Sequence, residues 1–152
     1  MIRLALYQPD IPQNMGTIMR LGACLAIPID VIGPTGFDLS DRALKRAGMD
    51  YLQNVDLTKY VSFEKYIKSH EQSAGRLILC STKSDKNYTD FNFKQGDTLM
   101  LGRETSGVPS EVHDIADNAV KIPMANNMRS LNIAVSAAMI SGEALRQLKG
   151  FA

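Results

Sequence analysis

Two short, strand-length runs in this chain, Leu77-Ile78-Leu79-Cys80 and Leu99-Met100-Leu101, are apolar at every position. A strand with one wet face alternates apolar and polar residues. A strand apolar at every position must be covered on both faces, as strands are inside a parallel sheet with helices above and below. That requirement narrows the fold more than any other feature. Ile2 to Tyr7, ended by Pro9 and Pro12, and Ile29 to Ile32, closed by Gly33-Pro34, read as further strands. Val120-Lys121-Ile122 reads as a last short one.

Helical spacing separates these runs. Ile18, Leu21, Gly22 and Leu25 repeat at helical intervals behind Asn14, which reads as an N-cap. Ser40 caps a short helix that Gly48 ends, and Ser62 to about His70 forms another. The longest helix runs from about Leu131 to Leu148. Alternating strands and helices predict an α/β fold: a layered, mostly parallel sheet with helices on both faces, in one domain spanning residues 1–152.

The 45% of hydrophobic residues suffices for a sizeable core. Seventeen basic and sixteen acidic residues leave a net charge of +1. That balance argues against a protein that coats nucleic acid through a broad basic surface, but leaves room for a local basic site. No run approaches the roughly 20 apolar residues that span a bilayer, so no membrane association is expected. Met1-Ile2-Arg3-Leu4 lacks the order of a secretory signal, which makes the cytoplasm the expected compartment. Cys24 and Cys80 form no CxxC pair and are expected to be buried, reduced thiols. His70 and His113 lack the spacing of metal ligands, and no metal is expected.

Three segments are unlike ordinary core. In the first, Gln13, Gly16 and Arg20 share one helix face. Gly16 permits close approach of a ligand or backbone, and Arg20 offers a guanidinium suited to phosphate. A loosely packed helix with one solvated arginine would read the same. In the second, the strand Leu99-Met100-Leu101 runs into Gly102-Arg103-Glu104-Thr105-Ser106-Gly107-Val108-Pro109, with Pro109 in the first turn of a helix. Ligand sites of parallel sheets lie at such strand ends, although plain strand-to-helix turns lie there too. In the third, Ile122 to Ser130 is a loop rich in hydrogen-bonding groups, capped into the last helix by Ser130 or Asn132. On that helix Ala134, Ala138, Ser141, Gly142 and Leu145 form a stripe of mostly small residues. It suits packing within the chain or a dimer contact equally.

Together the three segments resemble the motifs of the SPOUT superfamily of RNA methyltransferases, in its SpoU branch. The matching pieces are Asn14-x-Gly16-x-x-x-Arg20, Gly102-x-Glu104-x-x-Gly107-Val108, and Ile122-Pro123-Met124 running to Ser130-Leu131-Asn132. Leu6 to Asn14 and Arg46 to Tyr51 are similar to the minimal subgroup that methylates the wobble ribose, at cytidine or modified uridine, of leucine tRNAs. Val108 and Arg103 depart from the leucine and proline frequent in relatives. The resemblance implies a C-terminal trefoil knot, an exception to the rule against knots. It implies a homodimer through the first and last helices, and S-adenosylmethionine held by Cys80, Gly102, Ile122, Ser130, Leu131 and Asn132. The catalytic set it implies is Arg20, Asn14 and Glu104. A guanidinium with a pKa of about 12.5–13.8 is a poor base, which favours Arg20 as phosphate anchor and charge stabiliser. Glu104 would orient Arg20 or a loop backbone. Arg20, Arg42, Lys45, Arg46 and Arg129 are the expected RNA contacts, with Arg3 as a possible addition. A non-catalytic RNA-binding protein of this fold would lack reason to keep Asn14, Arg20, Glu104 and Asn132. A dinucleotide oxidoreductase would carry GxGxxG after its first strand, which is missing here.

Overall fold

The computed structural model describes residues 1–46 and 50–151. The strands are β1 (Arg3–Tyr7), β2 (Ile29–Ile32), β3 (Leu57–Tyr60), β4 (Leu77–Cys80), β5 (Thr98–Leu101) and β6 (Asn118–Val120). The helices are α1 (Pro12–Leu25), α2 (Asp41–Arg46), α3 (Phe63–His70), α4 (Ser110–Ile115) and α5 (Ile133–Leu148). All six strands pair in parallel, in the order β3-β2-β1-β5-β4-β6.

Both faces are covered, as the apolar runs require. Leu4, Leu6, Ile29, Val31, Ile78 and Leu99 pack with Met15 and Ile18 of α1 and Ala137 and Ile140 of α5. The alternate residues Ala5, Tyr7, Ile32, Leu79 and Met100 pack on the other face with Tyr66 of α3 and Val112 of α4. Gly22 lets α1 approach β2: a Cβ there would lie 2.6 Å from Ile29 Cδ1 and 2.8 Å from the Ile27 carbonyl oxygen. Among the described residues no helix is long and apolar enough to cross a membrane.

The structure corrects several local expectations. Asn14 is the third residue of α1, not its cap. Ile11 is the N-cap and Pro12, which has no amide hydrogen to leave unpaired, takes the first helical position. Pro109 likewise caps α4 rather than entering its first turn. The last strand ends at Val120, and Lys121 adds only an isolated bridge to Asn87. Strand β3 is an addition: at the sheet edge, Lys59 reaches outward to the Leu39 carbonyl and the Asp41 carboxylate, each at 2.8 Å. Cys24 is exposed and Cys80 only half-buried, where both were expected to be buried, and neither cysteine is in a disulfide. The stripe on α5 divides: Ala134, Ser141 and Leu145 are buried, while Ala138 is exposed and nothing lies within 4 Å of where a Gly142 Cβ would be. Ser40 and Ser62 cap α2 and α3 as expected, whereas the expected stop at Gly48 falls outside the described residues.

Candidate active site

A cavity of about 550 Å³ opens where the carboxyl ends of β4, β5 and β6 meet the starts of α1 and α5. This is the end of a parallel sheet at which ligands bind, and the size suits a small-molecule cofactor. Cys80, Gly102, Ile122, Ser130, Leu131 and Asn132 all line it, as do Asn14, Glu104 and Arg129.

The wall formed by the turn after β5 depends on glycine. The amides and carbonyls of Arg103 and Gly107 exchange two hydrogen bonds at 2.9 Å, closing the turn tightly. A Cβ on Gly102 would sit 2.7 Å from the Gly107 carbonyl carbon, and Gly107 has a φ of +67°. Backbone therefore faces the cavity where a side chain would intrude. Burial pushes the Cys80 thiol up to about 12, so its wall is uncharged at neutral pH.

Three sequence segments meet beside this wall. Glu104 accepts from the amides of Asp10 at 2.8 Å and Ile11 at 3.3 Å, and from Asn14 Nδ2 at 3.5 Å. Asn132 Nδ2 donates to Asn14 Oδ1 at 2.9 Å. Asn132 Oδ1 meanwhile accepts from Ala134 N at 2.8 Å and Val135 N at 3.3 Å, so Asn132, not Ser130, caps α5. Helix α1 has no side-chain cap of its own and no acidic residue in its first turn. Glu104 supplies the missing anion at that positive end from 90 residues away. Of the two supporting roles expected for Glu104, holding backbone is the one its contacts display.

Arg20 does not line the cavity of its own chain. It is exposed, with its guanidinium 5.1 Å above the ring of Tyr51 in the 3₁₀ turn Asp50–Gln53. Six residues beyond Asn14 on a helix is about 9 Å along the axis. Arg42, Lys45 and Arg46 are exposed on α2, and Arg129 is exposed at the cavity. Arg3 instead binds the buried Asp30 carboxylate at 2.8 Å at the opposite end of the strands. Sequence reasoning missed Ile11, Ser81, Thr82, Lys83, His113 and Ser136 on the cavity wall. The position of Ser81 to Lys83 directly after a buried parallel strand was a usable signal. His113 gave none, because only tertiary folding brings α4 there. Among the described residues no three His, Cys, Asp or Glu side chains cluster as a metal site would need.

The family model for the SpoU rRNA Methylase family matches residues 1–142. A tRNA (cytidine(34)-2′-O)-methyltransferase of Beijerinckia indica is 54% identical over 149 residues, covering 98% of this chain and 93% of that protein. A solved structure described as giving structural insights into the 2-OH methylation of C/U34 on tRNA is 41% identical, with a TM-score of 0.90, covering 99% of this chain and 97% of that one. The SpoU methyltransferase AviRb of Streptomyces viridochromogenes, in complex with AdoMet, is 26% identical with a TM-score of 0.86. It covers 100% of this chain and 59% of that one.

Proposed function

This chain belongs to the SpoU methylase family, and on that premise we propose that it transfers a methyl group from S-adenosylmethionine to the ribose 2′-hydroxyl of nucleotide 34 of tRNA. The substrates in this reading are leucine tRNAs carrying cytidine or 5-carboxymethylaminomethyluridine at the wobble position. The observation that carries it is the convergence of Asn14, Glu104 and Asn132 at one cavity, in a chain so similar to the cytidine-34 enzyme of Beijerinckia indica. The cytoplasm, where tRNA of the bacterial relatives is used, is the compartment in this reading.

The residues present fit the cofactor: an uncharged thiol wall, a glycine turn that presents backbone, and polar groups from Ser130 to Asn132. When bound, S-adenosylmethionine supplies an activated methyl carbon for in-line displacement. The protein must hold the ribose oxygen in line and ease loss of its proton. Asn14, fixed between Glu104 and Asn132, positions the ribose or Arg20. Arg20 anchors a phosphate and stabilises developing alkoxide charge. Because Arg20 stands outside its own chain's cavity, a homodimer packed through α1 and α5 is part of the proposal. Val135 and Met139, one turn apart on α5 and 47% and 37% exposed, with Leu131 just ahead of the helix and 39% exposed, support such a contact. A C-terminal trefoil knot belongs to the same reading, supported by the likeness of the chain to the SpoU family.

The test is radiolabelled methyl transfer to unmodified total tRNA, followed by mapping of the 2′-O-methyl site. Label at position 34 of leucine tRNAs is expected. Label in ribosomal RNA alone would overturn the substrate and keep the reaction. Arg20→Ala should abolish transfer while calorimetry still finds S-adenosylmethionine binding near the parent value. An equal loss of cofactor affinity would remove Arg20 from the catalytic set.

A further inference from the structure

Two acidic side chains cross between the β1–α1 connection and the turn after β5. Glu104 reaches from the turn to the Asp10 and Ile11 amides. Asp10 reaches back: its carboxylate accepts from Arg103 Nη2 at 2.5 Å, Arg103 Nε at 3.3 Å and the Thr105 hydroxyl at 2.7 Å. Arg103 Nη1 extends the contact to Gln8 Oε1 at 3.4 Å. A guanidinium gripped by both carboxylate oxygens fixes direction as well as distance, which a lysine ammonium does not. The turn between Arg103 and Gly107 is closed by its own paired hydrogen bonds, so it moves as one piece. Arg103, Glu104 and Gly107 all line the cavity, and Glu104 also holds the start of α1. Whatever sets the turn therefore sets the cavity wall and the helix carrying Asn14 together.

We propose that Asp10 and Arg103 are positioning residues: their bidentate pair sets the separation of the 102–107 turn from α1, and so the geometry in which the cavity takes its cofactor. The inference rests on the methyltransferase reading above. The Arg103 side chain is 36% exposed. The Asp10 side chain is more enclosed, at 13%, but a pair that stays partly open to water adds only modestly to global stability, so its loss should leave the chain folded.

Asp10→Asn, Arg103→Lys, Arg103→Ala and the Asp10→Asn/Arg103→Ala double variant separate the possibilities. Asp10→Asn and Arg103→Ala should each lower kcat/KM for S-adenosylmethionine about tenfold, the scale of a modest misplacement. Melting temperatures should fall by only a few degrees. Arg103→Lys should recover part of the loss, and the double variant should be no worse than the worse single one. In the cofactor-free protein, the Asp10 and Ile11 amides should exchange faster in Arg103→Ala than in the parent. Additive losses, or parental kinetics with parental amide exchange, would overturn the proposal. If the parent itself binds no S-adenosylmethionine, the functional reading fails, and the exchange measurement still decides whether the pair holds the turn.

Discussion

Burial of its sulfur keeps the Cys80 thiol protonated up to about 12, whereas Cys24 stands exposed on α1. A thiolate is the reactive species, so brief iodoacetamide treatment at pH 8 should modify Cys24 and spare Cys80. Mass spectrometry should find one adduct per chain, and rapid labelling of Cys80 would show that the wall of the cavity opens in solution. Tyr66 presents a different single-residue question. Its side chain is almost wholly buried beneath the sheet, and its hydroxyl has no hydrogen-bond partner among the described residues. Desolvation, with Asp30 nearby, raises its pKa, so the group stays a neutral phenol. An unpaired buried hydroxyl costs free energy that a phenyl ring does not. Tyr66→Phe should therefore leave thermal stability unchanged or raise it by up to about 1 kcal/mol. A loss larger than that would reveal a bound water satisfying the hydroxyl.

Asn132 performs two separable tasks at the start of α5. Its Oδ1 caps the helix and its Nδ2 holds Asn14. Asn132→Ala removes both and should cost about 1 kcal/mol in chemical denaturation. Asn132→Asp keeps the capping oxygen and loses the donor to Asn14. It should hold most of the stability yet lower methyl transfer as far as the alanine variant does; activity equal to the parent would free Asn14 from that contact. The elements themselves were legible in proportion to how local their signals are. Helices α3 and α5 announce themselves through a serine cap and an uninterrupted period, and β4 and β5 through runs apolar at every position. Strand β3 was missed because Leu-Thr-Lys-Tyr, half-buried at an edge, carries neither alternation nor continuous apolarity. Asn14 was misplaced because a good capping residue competes with a proline two positions earlier, and proline's geometry wins. The motifs pointed to Asn14, Gly102, Glu104 and Ser130 to Asn132, which line the cavity, but not that Arg20 would stand outside it or that Asn14 would bind Glu104 and Asn132. Those partners lie 90 and 118 residues away, beyond anything spacing records.

Across the whole molecule, a net charge of +1 must be reconciled with a polyanionic substrate. The resolution is placement. Arg42, Lys45 and Arg46 are exposed on α2, and none of them enters an ion pair among the described residues. Lys59, by contrast, is committed to Asp41, Lys68 to Glu64 and Arg146 to Glu143. Six basic residues are thus held in ion pairs among the described residues, and α2 keeps three unpaired ones together. Helix α2 and α1 both contact the 3₁₀ turn that carries Tyr51, above which Arg20 lies. The cluster and Arg20 therefore adjoin one structural unit, and an anticodon stem-loop bound at one is within reach of the other. Replacing Arg42, Lys45 and Arg46 together with alanine tests this by counterion release. Each phosphate contact to single-stranded nucleic acid contributes about 0.7 to the slope of log affinity against log salt, so three lost contacts should flatten it by about 2. Fluorescence anisotropy of labelled tRNA across a sodium chloride series measures that slope, and calorimetry with S-adenosylmethionine should return the parent affinity. A flattening near 4 would mean that two protomers of a dimer present their clusters to one tRNA. An unchanged slope would move the RNA path off α2 and onto the cavity rim at Lys83 and Arg129.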